Sequence, residues 1–169
     1  FFVFSDYMKP AIRMAALMRV PIKFIWTHDA FRVGEDGPTH EPVEQEAQIR
    51  LMEKLKNHSG NDSVRVFRPA DADEATVCWK MAVENMDTPT ALIFSRQNVM
   101  SLPEGTDYEG ARKGAYIVEG SDADYDVILL ASGSEVATLV AGSKLLREDG
   151  IKTRIVSVPS EGLFRTQPK

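Results

Sequence analysis

The segment Ile22-Lys23-Phe24-Ile25-Trp26-Thr27-His28-Asp29-Ala30-Phe31-Arg32-Val33-Gly34-Glu35-Asp36-Gly37-Pro38-Thr39-His40-Glu41-Pro42-Val43-Glu44-Gln45 holds a strand, a long polar loop and the start of a helix. Ile22 to Trp26 alternates and β-branches as a strand does. Pro42, just inside an acidic start, marks a helix N-terminus. Between them, Thr27 to His40 holds two of the chain's three histidines, three carboxylates and two glycines. Loops that only connect rarely need so many titratable groups, whereas loops that carry sites do. Gly34 and Gly37 let the backbone turn or approach a ligand closely, and Pro38 stiffens the exit.

Three readings of this loop compete. It can be a solvated connection, because Gly, Asp and Pro favour turns anyway. It can be a metal site of His28, Asp36 and His40, but the spacing fits no compact zinc pattern and Cys78 is the only cysteine. Or it can line a polar substrate pocket, in which the imidazoles donate hydrogen bonds or move protons near neutral pH while Asp36 accepts from a hydroxyl.

Outward from the loop, helices and strands alternate. Ser5 or Asp6 is expected to cap a helix with Pro10 in its first turn, ending before Val20-Pro21. A helix follows Pro42, then a strand at 64–67. A third helix is expected over about 73–85, with Val77, Trp79, Met81, Ala82 and Met86 marking buried faces. Thr90-Ala91-Leu92-Ile93-Phe94 is a continuous apolar run of the kind buried on both faces of a parallel sheet. Residues 95–113 read as a connecting segment. Beyond it come strands at 115–118 and 126–131, a helix over 135–147 whose amides Ser132 or Ser134 can cap, and a strand at 153–158. Alternation without hairpins implies βαβ crossovers: an α/β fold with a doubly wound, mostly parallel sheet, followed by the beginning of a second α/β domain.

Composition narrows the class. Hydrophobic residues make up 43% and charged residues 27%, as in a globular protein. A formal net charge of −5 argues against a nucleic-acid surface. No apolar run approaches the ~20 residues that span a bilayer, so no membrane partner is expected. A lone cysteine excludes an internal disulfide framework and suits a reducing compartment, with cytoplasm as the expected location. The opening Phe1-Phe2-Val3-Phe4, without methionine, reads as the cut end of a longer polypeptide.

Two further groups invite chemical roles. Phe1, Phe4 and Tyr7 are spaced by three and share a face when helical; from spacing alone they read more naturally as core than as a ligand box. Arg96 follows the buried strand, at the end of a parallel sheet where ligands bind, and a guanidinium there can clamp phosphate through two hydrogen bonds. An arginine on a solvated surface loop is the equal alternative. Cys78, in a helix with no basic neighbour, reads as packing, and His58 as solvent-facing.

Gly34-Glu35-Asp36-Gly37-Pro38-Thr39-His40, after Thr27-His28-Asp29, closely resembles the transketolase family of thiamine-diphosphate enzymes. Phe1 to Tyr7, Arg68-Pro69-Ala70-Asp71, Ser95-Arg96-Gln97-Asn98 and Gly133-Ser134-Glu135-Val136 continue the likeness in order over nearly the whole chain. The resemblance implies that residues 1–113, with the linker 95–113, are the later part of a pyrimidine-binding domain and 114–169 the start of a C-terminal domain. It implies ketol transfer between sugar phosphates in the pentose phosphate pathway, with thiamine diphosphate and magnesium, in a homodimer. It assigns Phe1, Phe4 and Tyr7 to the cofactor's aminopyrimidine. It assigns His40 and His28 to catalysis and substrate binding, Asp36 to a sugar hydroxyl, and Arg96 to the sugar phosphate. The family's metal- and diphosphate-binding segment is not in this sequence, so no metal ligand is named, a separate diphosphate-binding domain is expected as partner, and the isolated chain is expected to be inactive. Ala30-Phe31-Arg32 departs from the family's small, glycine-containing pattern. A 1-deoxyxylulose-5-phosphate synthase-like enzyme, another thiamine-diphosphate enzyme subunit, and a non-catalytic α/β interaction module remain as alternatives.

Overall fold

A computed structural model describes residues 1–29 and 33–168; the Ala30-Phe31-Arg32 departure lies outside the described residues. The elements run α1 (Ser5–Met18), β1 (Lys23–Trp26), α2 (Gln45–Lys54), β2 (Arg65–Phe67), α3 (Ala72–Glu84), β3 (Thr90–Ile93), β4 (Tyr116–Glu119), β5 (Val127–Ala131), α4 (Glu135–Glu148), β6 (Thr153–Ser157) and α5 (Glu161–Arg165). They build two three-stranded sheets.

The first sheet has the order β1-β3-β2 and is parallel throughout. The apolar run at β3 takes the centre, and all four of its residues are buried, because a middle strand is covered on both faces. Alternation sends successive side chains to opposite layers. Ala91 and Ile93 join Phe24, Trp26, Val66, Ile12 and Ile49 in a core that reaches α1 and α2. Leu92 and Phe67 join a second core with Val77, Cys78 and Met81 of α3 and with Tyr116, Val136 and Ile155 of the following unit. The two sheets therefore share one apolar layer through α3.

The second sheet has the order β4-β6-β5, with β5–β6 parallel and β4–β6 antiparallel. A 3-10 turn at Tyr108–Lys113 delivers the chain to β4. Strand β5 stands at an edge, with Val127, Ile128 and Leu130 exposed.

Four local expectations change. A 3-10 turn at Phe2–Phe4 runs directly into α1, so Ser5 and Asp6 already lie within the helix and neither side chain caps its start. Pro10 sits in the second turn rather than the first. On α3 the buried stripe is Glu74, Val77, Cys78, Met81 and Ala82, a 3–4 spacing that leaves Trp79 about 100° off the stripe; Trp79 and Met86 are exposed. Ser134 precedes α4 without a side-chain capping bond. Among the described residues no helix is long and apolar enough to cross a membrane.

Candidate functional site

Parallel strands send the segments after β1, β2 and β3 from the same sheet end, and β3 lies between the other two. The β1 loop with its histidines therefore stands beside Arg96, three residues past β3. Thr27 breaks from the strand and His28 adopts a left-handed backbone, φ +62°. Asp29 N then donates to Phe94 O at 3.1 Å, so the loop stays anchored to the central strand.

The two imidazoles converge on the amino-terminal rings. The Phe1 and His28 ring centroids are 3.8 Å apart, and His40 sits 5.3 Å from Phe1 and 5.4 Å from Phe4, edge to face in both cases. Thr27 Oγ1 lies 2.9 Å from His28 Nδ1, and Thr39 Oγ1 lies 2.8 Å from His40 Nδ1. Each threonine thereby engages one ring nitrogen and leaves Nε2 for another partner. Burial against the aromatic rings lowers the His28 pKa below its ordinary value, which favours the neutral imidazole.

Phe1, Phe4 and Tyr7 do share a face: neighbouring centroids are 5.9 and 6.1 Å apart. They are not core. Phe1 is 40%, Phe4 38% and Tyr7 80% exposed, whereas the neighbouring Phe2 takes the buried position against Trp26. Half-open rings beside two imidazoles offer a flat heterocycle a stacking surface.

Arg96 Nε lies 3.9 Å from Asp36 Oδ2. That contact is too long for a hydrogen bond, and Asp36 Oδ2 has no hydrogen-bond partner among the described residues. Asp36 Oδ2 is thus a buried acceptor with capacity left over, close to a guanidinium. Among the described residues no cluster of three or more His, Cys, Asp or Glu is arranged to hold a metal ion. Cys78 is buried, and desolvation drives its thiol pKa far up; it packs. His58 is exposed.

Sequence reading missed the neighbour of His28. Asp29, 1% exposed, accepts from Arg68 Nη2 at 2.6 Å and Nε at 3.0 Å. A gap of 39 residues carries no spacing signal; the only hint is that both belong to motifs quoted above, Thr27-His28-Asp29 and Arg68-Pro69-Ala70-Asp71.

Residues 1–101 match the family described as transketolase, pyrimidine binding domain, and residues 114–169 match the transketolase-like TK C-terminal domain. The chain is similar to the transketolase of Halalkalibacterium halodurans, 48% identical over 169 residues that cover 99% of this chain and 24% of that one. It is similar also to the probable transketolase of Streptococcus pneumoniae, 48% identical over 167 residues covering 99% and 24%. It spans about a quarter of the length of these curated relatives. Its structure resembles Pichia stipitis transketolase in complex with sedoheptulose-7-phosphate, with a TM-score of 0.87, 38% identity, and coverage of 100% of this chain and 23% of that one. A chain described as split gene transketolase, inactive beta4 tetramer, aligns at a TM-score of 0.70 and 26% identity, over 95% of this chain and 47% of that one.

Proposed function

The chain belongs to the transketolase family, and from that premise we propose that it forms part of an enzyme moving a two-carbon ketol unit from a ketose phosphate to an aldose phosphate. Residues 1–113 serve as the later part of the pyrimidine-binding domain and 114–169 as the start of the C-terminal domain. The whole enzyme is a cytoplasmic homodimer that uses thiamine diphosphate and magnesium, with a separate domain holding metal and diphosphate. This chain by itself does not turn over.

The observation that carries the reading is the convergence of His28 and His40 on the Phe1 ring, beside the incompletely satisfied Asp36–Arg96 pair. Phe1, Phe4 and Tyr7 fit the aminopyrimidine of thiamine diphosphate, because their rings are partly open and lie on one face. When bound, that cofactor supplies the carbanion chemistry. This chain's residues bind, orient and handle protons. His40 Nε2 engages the substrate carbonyl or hydroxyl, with Nδ1 held by Thr39. His28, kept neutral, donates to or accepts from a hydroxyl or phosphate oxygen. Asp36 accepts from a sugar hydroxyl, and a substrate lacking it in the right configuration leaves the carboxylate poorly solvated. Arg96 clamps the phosphate.

The test is Arg96→Ala in the full-length enzyme. The apparent KM for phosphorylated sugars should rise by roughly tenfold or more while short unphosphorylated hydroxyaldehydes are little affected. Equal losses for both substrate classes, or no loss, sink the phosphate clamp.

A further inference from the structure

Three of the transketolase-like motifs meet at one buried side chain that the pocket itself does not use. Arg68 follows β2 and is 4% exposed. Its Nε and Nη2 hold Asp29 Oδ2. On its other side Nη2 meets Glu135 Oε1 and Oε2 at 2.8 and 2.9 Å, and Nη1 meets the carbonyl and hydroxyl oxygens of Ser132, both at 3.1 Å. Glu46 Oε2 stands 3.8 Å away. The backbone is tied across the same boundary: Arg68 N donates to Pro159 O at 2.9 Å, and Gly133 N donates to Arg68 O at 3.0 Å.

We infer that Arg68 is a positioning residue through which Ser132 and Glu135, at the start of α4 in the second unit, hold the His28 loop in its binding geometry. His28 is one of two described non-glycine residues with positive φ, the other being the C-cap Arg19 of α1. A left-handed backbone at such a residue persists only when its surroundings fix it. Here one fixing contact is the Asp29 amide on Phe94 O, and the other is the Asp29 carboxylate on the rigid, forked guanidinium. Because Asp29 directly follows His28, loss of the fork lets the peptide relax and swings the imidazole away from Phe1. The second unit thus acts on substrate without touching it.

The inference rests on the reading of His28 as a substrate-binding residue, and a double-mutant cycle in the full-length enzyme separates the two. Arg68→Lys keeps the charge and removes the fork; it should lower kcat/KM for a ketose phosphate about tenfold. In a His28→Ala background the same change should add less than about twofold, because its effect runs through the missing ring. Glu135→Gln, on a partly exposed side chain, should show the same non-additivity at smaller size, and it serves if Arg68→Lys fails to fold. Equal losses in both backgrounds, or a folded Arg68→Lys enzyme with unaltered kcat/KM, overturn the positioning role. A His28→Ala enzyme with unaltered kcat/KM overturns the substrate-pocket reading itself and this inference with it.

Discussion

Gly34 shows how closely the loop after β1 is fitted against Arg96. Its φ is +95°, and a Cβ added there would come within 2.5 Å of Arg96 Nη1. Gly34→Ala should cost about 1–2 kcal/mol from the backbone alone. The guanidinium sits at the end of a flexible chain, so it can move aside, and binding should suffer more than folding does. In the full-length enzyme, a modest fall in thermal midpoint together with a raised KM for the proposed sugar-phosphate substrate is the expected pair of measurements. Among single residues, the grouping of His28 and His40, and of Asp36 with Arg96, was the more legible. Two histidines, an acid and two glycines in one loop exceed what turn chemistry requires, and Arg96 follows an apolar strand whose central place is dictated by its composition. Asp29 was hidden because a carboxylate in a glycine-bearing loop reads as solvated. Its burial depends on an arginine brought from another strand by the topology, and burial raises its pKa even though Arg68 opposes that rise.

Helix α3 was readable in its extent and in Val77, Met81 and Ala82 of its buried stripe, but not in Trp79 and Met86. Asp71 caps it, Oδ1 accepting from Glu74 N at 2.9 Å, and Val77, Cys78, Met81 and Ala82 follow at helical spacing. The cap has a second task that spacing cannot reveal. Oδ2 accepts from Leu102 N at 2.9 Å and from the Tyr108 hydroxyl at 2.7 Å, so it also pins the linker between the sheets. Burial raises the Tyr108 pKa, with Asp71 adding to the effect, and keeps the phenol a donor. Asp71→Ala should therefore cost more than an ordinary cap, about 2–4 kcal/mol, against roughly 1 kcal/mol for a cap alone. Thermal denaturation of the full-length variant checks this, and Asp71→Asn should recover part of the loss by retaining one acceptor. Helix α5 escaped the sequence reading because five residues are too few for a periodic signal. Its one marker is the cap Ser160, whose side chain accepts from Leu163 N. The antiparallel β4 was likewise illegible, since a strand carries no mark of its direction.

Across the whole molecule the two sheets are joined by apolar packing with buried ionisable groups set into it. Besides Arg68, Glu53 accepts from Val66 N at 3.0 Å and from Gly162 N at 3.2 Å, and Glu74 accepts from Ala70 N at 2.5 Å and the Ser157 hydroxyl at 2.6 Å. Burial raises the pKa of both carboxyls above the ordinary 4.5. A raised carboxyl pKa means that the folded state holds the proton more tightly. Each group's stabilising contribution is then complete below pH 4.5 and is lost as pH rises through the folded-state pKa. Glu74→Gln keeps the shape without the ionisation, so its thermal midpoint relative to the parent should climb as pH rises above 4.5; a constant difference would contradict the shift. The outer rim of the second sheet has a consequence of another kind. Strand β5 presents Leu130, 63% exposed, with Val127 and Ile128 along an open row of amides and carbonyls, and such a margin is a template for any extended peptide that meets it. Material consisting of these residues alone would pair margin to margin when concentrated, so its solubility ceiling would be set by recruitment of like molecules well before heat disturbs the interior.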